Sequence, residues 1–157
     1  MPSTRASVPR PARCTGARVA LRTSHHRSGI SAVPAAAPGD PFAGRLLEAY
    51  VRAWAADDID ALLATMREDV RLAMPPSPAW YTGRAAVGVL LRRWIFGALR
   101  PPGGYATRAT KANGQAAFVF GSKDDPERPI GVVVLSVEAA AIVDIIAFLD
   151  EGLAARF

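Results

Sequence analysis

Apolar side chains recur every three to four residues between positions 41 and 66, which is the spacing of one face of a helix. Asp40-Pro41 begins this pattern, because Asp is a favoured N-cap and Pro a favoured first helical residue. The first helix is predicted to run to about Ala56. Asp57-Asp58 begins a second, shorter helix with apolar residues as far as Met66.

Alternation of apolar and polar residues replaces the helical spacing farther along the chain. A first strand is predicted at Asp69–Met74 and a third helix at about Arg84–Ala98. The Asn113-Gly114 pair is a strong hairpin signal between two of the later strands. Those four strands are predicted at Tyr105–Ala112, Gln115–Phe120, Ile130–Val137 and Ala141–Leu149. Helices followed by strands predict an α+β fold, with about three N-terminal helices on one face of a curved antiparallel sheet.

The formal net charge of +5 comes from the first 39 residues. They hold six arginines and no acidic residue, whereas residues 40–157 hold 13 Lys and Arg against 14 Asp and Glu. Residues 1–39 are also rich in Pro, Ala and Ser and lack an apolar period, which predicts a disordered leader before a folded domain at 40–157. Their composition also matches an organelle transit peptide loosely, but a plain leader or an upstream start codon is the favoured interpretation.

The folded domain lacks the side chains that most metal and nucleophile chemistry needs. The one cysteine, Cys14, and the two histidines, His25 and His26, all belong to the leader. Cysteine–histidine and serine–histidine catalysis and a zinc cage are therefore not expected in the domain, and neither a metal nor a cofactor is predicted. No apolar run is long enough to span a bilayer, so we expect a cytoplasmic protein without a membrane partner.

The run from Met74 to Arg84 reads Met-Pro-Pro-Ser-Pro-Ala-Trp-Tyr-Thr-Gly-Arg. It is predicted to form a loop, because prolines fix φ and cannot donate to a strand ladder. The side chains of Trp80 and Tyr81 are too large and apolar to be fully solvated in a loop, so they are expected to line or cover a cavity.

Several motifs in order resemble the SnoaL-like branch of the nuclear-transport-factor-like superfamily. They are Leu47–Trp54, Asp58–Leu62 and Arg67–Val70. The resemblance covers about residues 42–157 and implies that the sheet curves into a cone around a mostly apolar pocket.

A narrower resemblance is to the SnoaL-like domain at the C-terminus of certain extracytoplasmic-function sigma factors. It rests on the run from Met74 to Arg84, on Ala112–Phe118 and on Ala147–Asp150. In those sigma factors promoter-recognising helical regions precede the domain, and the 39 residues upstream are not expected to replace them. This chain is therefore not expected to bind DNA directly, whether it is a truncated gene product, a stand-alone relative or a misassigned reading frame.

The resemblance implies a set of pocket-lining side chains, with Arg84 as a polar neighbour: Trp54, Met74, Trp80, Tyr81, Trp94, Phe118, Phe120 and Phe148. Trp54 and Trp94 lie at helical spacing and are interpreted more readily as core. The three phenylalanines alternate on strands and fit either pocket or core. Arg84 equally fits a solvated position in the first turn of the third helix.

Asp150 stands where enzymes of the SnoaL type, by resemblance, carry a general acid/base aspartate. In that role Asp150 would remove a proton from the carbon next to a carbonyl group, while Tyr81 would donate a hydrogen bond to the developing enolate. The slightly favoured alternative is that Asp150 caps the terminal turn. Asp144 is two residues from Ile142, so the two side chains are expected on the same face of the last strand. If that face is buried, the Asp144 carboxylate would need an ion-pair partner, for which Arg108 is the candidate.

The expected pocket offers few polar side chains for transition-state stabilisation. The favoured hypothesis is a non-catalytic accessory domain that binds a small apolar ligand or contacts a sigma factor or RNA polymerase, and so regulates transcription. The alternative is a cofactor-independent isomerase or cyclase of the ketosteroid isomerase or polyketide cyclase kind that uses Asp150. A homodimer through the outer face of the sheet is a third hypothesis.

Overall fold

The computed structural model describes residues 41–157. The predicted leader, with Cys14, His25 and His26, lies outside the described residues. In chain order the elements are α1 (Pro41–Ala55), α2 (Ile59–Ala64), β1 (Met66–Ala73), β2 (Trp80–Thr82), α3 (Arg84–Leu90), a π-helical segment (Leu91–Ala98), β3 (Tyr105–Ala112), β4 (Gln115–Ser122), β5 (Asp125–Glu138), β6 (Ala141–Phe148) and α4 (Glu151–Ala154).

The six strands form one sheet in the order β2-β1-β6-β5-β4-β3. The α+β fold is confirmed, and every pair of neighbours is antiparallel except β1 and β6, which run parallel and make the sheet mixed. Parallel neighbours require a crossover, and here all the elements from β2 to β5 lie between the two paired strands. Alternation predicts that β1 is a strand, but it carries no information on which distant strand β1 joins.

Three element boundaries differ from the sequence-based expectation. Trp80–Thr82 is a short strand rather than a loop, because it pairs antiparallel with the end of β1, Trp80 opposite Ala73. Met66 begins β1 instead of ending α2. Residues 121–129, which separate two of the predicted strands, are mostly paired, since β4 and β5 extend into them and leave a tight turn.

The third helix reaches Ala98 as predicted, but its second half is π-helical. The amide of Leu99 donates to the carbonyl oxygen of Trp94, five residues earlier, at 2.7 Å. Gly97 permits this wide turn, because a Cβ at that position would lie 2.8 Å from the carbonyl oxygen of Arg92. The segment therefore presents a different set of side chains from a regular helix.

The main core fills the space between α1, α3 and one face of the sheet, which we call the inner face. Tyr50 and Trp54 of α1 pack there against Phe118 and Phe120 of β4, with the Trp54 and Phe118 ring centroids 5.2 Å apart. A smaller apolar cluster lies on the opposite, outer face, where α4 covers part of β4 and β5 through Ala154. The last helix thus packs on the side away from the other three.

An extra residue in β6 changes the faces of that strand. Val137 pairs with Ile142 but Ser136 pairs with Asp144, so Val143 is left over as a β-bulge. Asp144 therefore does not share a face with Ile142, which is part of the main core.

The ion-pair partner of Asp144 is Arg71 of β1 rather than Arg108. Arg71 donates two hydrogen bonds to Asp144, at 2.7 and 3.0 Å, and this pairing raises the pKa of the guanidinium. Arg108 instead donates to the backbone oxygen of Phe157, at 2.7 Å. The parallel pairing of β1 with β6 brings Arg71 opposite Asp144, and no sequence pattern indicated that pairing.

Candidate functional site

An apolar cavity of about 340 Å³ lies between the inner face of the sheet and the π-helical segment. Its lining residues are Trp54, Met74, Ile95, Leu99, Tyr105, Phe120, Ile130, Val133, Ala147, Leu149 and Glu151. All of them except Glu151 carry apolar or aromatic side chains. The volume is at the lower end of the range found for small-molecule sites, and the mainly apolar lining is typical of them.

Small residues on β5 and β6 leave the space for this cavity. Val133 and Ala147 are paired across the two strands, so both face the cavity from the sheet. Gly131 lies beside the ring of Phe120, and a Cβ there would come within 3.0 Å of that ring and 2.4 Å of the carbonyl oxygen of Phe148. A larger residue at this position would push Phe120 towards the cavity.

Tyr105 holds the π-helical segment over the cavity. Its hydroxyl donates to the carbonyl oxygen of Ile95 at 2.7 Å and lies 3.2 Å from that of Leu99. Burial, with a smaller contribution from the nearby Asp57 carboxylate, raises the pKa of Tyr105 to about 12. The hydroxyl therefore stays protonated at neutral pH and keeps its role as a donor.

A shallower groove of about 220 Å³ adjoins the cavity at the surface. We call it the groove, and it is lined by Met74, Tyr81, Leu90, Trp94, Ile95, Leu99 and Leu149. Four of these residues, namely Met74, Ile95, Leu99 and Leu149, also line the cavity. The cavity and the groove therefore meet along a common wall.

The structure brings five of the residues predicted to line the pocket to these two spaces. Trp54, Met74 and Phe120 line the cavity, and Tyr81, Trp94 and again Met74 line the groove. Trp54 is also part of the core, as its helical spacing indicated.

Phe118, Phe148 and Trp80 line neither space. Phe118 is fully buried in the main core, and Phe148 packs with the smaller cluster on the outer face. Trp80 is 72% exposed. Because Trp80 and Tyr81 are neighbours on a strand, their side chains point to opposite sides of the sheet, and only Tyr81 reaches the groove.

A homodimer through the outer face of the sheet stays a prediction.

Arg84 and Asp150 also lie outside the cavity and the groove. Arg84 is 3.4 Å from Glu68 in an ion pair at the surface. The Asp150 carboxylate accepts a hydrogen bond from the amide of Leu153 at 2.8 Å and so caps α4. The capping interpretation of Asp150 accounts for its geometry, and its neighbour Glu151 is the carboxylate that lines the cavity.

Glu151 and several apolar wall residues were not among the predicted site residues. Glu151 is engaged by Arg128, which donates to it at 3.0 Å. Ile95 and Leu99 follow Leu91 at a spacing of four residues, and this signal could have identified them. Val133 and Ala147 could not have been found in this way, since only the strand register brings them together.

Within residues 41–157, no three His, Cys, Asp or Glu side chains gather in a group that could hold a metal ion. In the same described region, no helix has both the length and the apolar character that crossing a membrane requires.

Sequence comparisons identify relatives over most of the chain. A family model described as SnoaL-like domain matches residues 47–145. The ECF RNA polymerase sigma factor SigG of Mycobacterium tuberculosis, from two strains, is 33% identical over 122 residues, which are 77% of this chain and 32% of the relative. The chain therefore spans about a third of the length of these curated relatives.

Structure comparisons find the same fold in proteins of low sequence identity. A candidate ketosteroid isomerase from Kribbella flavida matches with a TM-score of 0.54 and 22% identity, over 70% of this chain and 78% of that one. An NTF-2-like protein of unknown function from Burkholderia xenovorans matches with a TM-score of 0.56 and 20% identity, over 70% and 84%. At these identities the likeness concerns the fold alone.

Proposed function

The chain belongs to the SnoaL-like domain family, and we propose that it is a non-catalytic domain that binds a small apolar molecule in its cavity. The observation that carries this proposal is the lining, which is apolar or aromatic except for Glu151. That carboxylate is already paired with Arg128, so it does not attract a polar ligand strongly. Burial of apolar surface is then the main source of affinity.

The position of the acid predicted for catalysis supports the non-catalytic interpretation. A general base has to reach the proton that it removes, and Asp150 instead holds the first turn of α4. The hydroxyl of Tyr105, which does line the cavity, is engaged with the carbonyl of Ile95. Aimed donors of the kind that stabilise an enolate are therefore scarce around this cavity.

One buried donor belongs to a residue of the cavity wall but is not available to a ligand. The indole nitrogen of Trp54 is buried and has no hydrogen-bond partner among the described residues. A buried donor without an acceptor costs about 1–3 kcal/mol. Because this nitrogen has almost no accessible surface, a molecule in the cavity does not reach it, and recognition rests on the apolar lining.

Two neighbouring residues of β6 allow a matched test of the cavity. Ala147→Trp places an indole in the cavity, whereas Ile146→Trp enlarges a side chain that is exposed on the outer face. With the fluorescent probe anilinonaphthalene sulfonate, we expect Ala147→Trp to weaken binding by about tenfold or more, because the added ring takes the ligand's volume. Ile146→Trp is expected to bind as the wild type does. Equal probe affinity in both variants and the wild type would show that the cavity is not the site.

We also propose that the domain is an accessory, regulatory part of a sigma-factor system, as the similarity to SigG suggests. The match covers only 32% of that relative, so a contact with the rest of such a protein is part of the proposal. Occupancy of the cavity would then change this contact, because a ligand that rigidifies one face of a small domain alters the affinity of another face.

A further inference from the structure

We propose that the cavity and the groove together form one elongated site, and that its ligand is a long, flexible apolar chain of the alkyl type. This inference rests on the proposed function and extends it, since it states the shape and chemical class of the ligand. One end of the chain would occupy the cavity, and the other would pass the common wall and lie in the groove.

The common wall is the first argument for a continuous site. Met74, Leu99 and Leu149 line both spaces, as does Ile95, so no polar partition separates them. Within the part of the chain that the structure describes, no charged side chain lines the groove. A chain that leaves the cavity past this wall therefore stays in contact with apolar surface.

Exposure of apolar side chains at the groove is the second argument. Trp94 is 49% exposed, Leu99 56% and Leu149 53%. Apolar side chains that cluster at the surface commonly mark a ligand-binding groove, because each square ångström of them gains about 25 cal/mol when it is covered. Leu99 and Leu149 also line the cavity, but Trp94 lines the groove alone, so a ligand confined to the cavity would leave Trp94 as it is, whereas a longer one would cover it.

The charges around the two spaces indicate where a polar end of the ligand lies. The one charged residue in either lining, Glu151, is held by Arg128 near the cavity. Among residues 41–157, none that lines either space offers an unpaired cation for a carboxylate or phosphate. Any charged head group would thus remain in solvent at the open end of the groove, and the alkyl chain alone would be recognised.

The chain has three tryptophans, and the structure gives each a different environment. Trp54 is buried in the cavity wall, Trp94 is half-exposed in the groove and Trp80 is exposed on the outer face. In a Trp80→Phe variant, iodide therefore quenches mainly Trp94. This variant changes neither lining, and it reports on the groove alone.

The test uses straight-chain fatty acids from octanoate to palmitate as probes of the Trp80→Phe variant. We expect affinity to rise by up to about fourfold for each added methylene as the chain extends into the groove. Short acids should leave iodide quenching of Trp94 unchanged, and long acids should protect it. A Trp94→Ser change should reduce the affinity for palmitate by about tenfold and leave that for octanoate unaltered, whereas Val89→Ser, on an exposed residue outside both linings, should change neither.

The outcomes separate this inference from the proposed function. If octanoate and anilinonaphthalene sulfonate both fail to bind, the proposed function fails and the inference falls with it. If palmitate binds no tighter than octanoate and leaves Trp94 open to iodide, the cavity binds alone and the elongated site is wrong. Protection of Trp94 that grows with protein concentration in the absence of fatty acid would assign the groove to a second copy of the chain, and would also overturn the inference.

Discussion

Asp150 and Glu151 are adjacent carboxylates with different surroundings. The first accepts a backbone hydrogen bond at the start of α4, and the second faces the cavity and pairs with Arg128. The sequence predicts that an acid stands at the end of the last strand, but not which of the two reaches the cavity. Which of the two carboxylates reaches the cavity depends on the exact residue at which the strand ends and the helix begins, and a shift of one residue would change it.

Replacement of Asp150 should affect stability and leave ligand binding unchanged. We expect Asp150→Ala to lower the free energy of unfolding by about 1 kcal/mol, since a helix N-cap is lost, and Asp150→Asn to restore most of it. Asp58→Ala is a matched control, because Asp58 caps α2 through the amide of Ala61 at 3.0 Å. Urea denaturation measures these changes. A severalfold loss of probe affinity in a stable Asp150→Asn variant would instead place the carboxylate in the binding site.

Trp80 and Tyr81 illustrate how far sequence reasoning extends at this scale. Their size indicated that they cover something, and Tyr81 does line the groove. The prolines before them predict a loop, but the two residues form a strand, which places their side chains on opposite faces of the sheet. The signal for that strand is only three residues long, too short for an alternation pattern to be distinguished from chance.

At the scale of elements, the π-helical segment depends on Tyr105 for its position over the cavity. Burial raises the pKa of Tyr105 to about 12, above the value of about 10 for an exposed tyrosine. The pKa of Tyr50 is raised by burial in the same sense. The ionised forms of both residues are therefore disfavoured in the folded state.

Stability should consequently fall at alkaline pH. The pKa of Tyr105 is higher in the folded than in the unfolded state, so its protonated hydroxyl contributes fully to the free energy of unfolding below about pH 10. This contribution is lost as the pH rises to about 12, because Tyr105 in the unfolded chain releases its proton first. We expect a loss on the order of 1 kcal/mol from Tyr105 over this interval, measured by urea denaturation. Tyr105→Phe should be less stable at neutral pH, since it lacks the hydrogen bond to Ile95, and should show a smaller alkaline loss. An equal alkaline loss in both proteins would contradict the assignment to Tyr105.

Most elements of the fold were predictable because each has a local cause. The late strands are alternating or apolar runs, the Asn113-Gly114 turn has positive φ at both residues, and α2 has its N-cap. The parallel pairing of β1 with β6 and the π-turns after Leu90 were not predictable. Both depend on contacts between residues far apart in sequence or on a backbone geometry with no distinct composition.

At the scale of the whole molecule, the proposed regulatory role predicts a measurable coupling. The part of a SigG-like sigma factor outside the matched third should bind this chain, and saturation of the cavity with a fatty acid should change that affinity by about fivefold or more. Isothermal titration calorimetry with and without the acid provides the measurement. Absence of binding would remove the accessory role, while binding that is indifferent to the acid would leave the contact and remove the regulation.

The division between inner and outer faces runs through the whole sheet, and the bulge at Val143 is where β6 departs from strict alternation. A chain that lost Val143 would keep Ile142 and Ile145 on the inner face and Asp144 opposite Arg71, since the remaining residues would alternate regularly. Loss of one residue between Val132 and Ser136 would instead exchange the faces of the rest of β5. We therefore expect deletion of a single residue to cost less at position 143, where it removes one buried side chain, than within β5, where it would also turn the residues that follow to the wrong face.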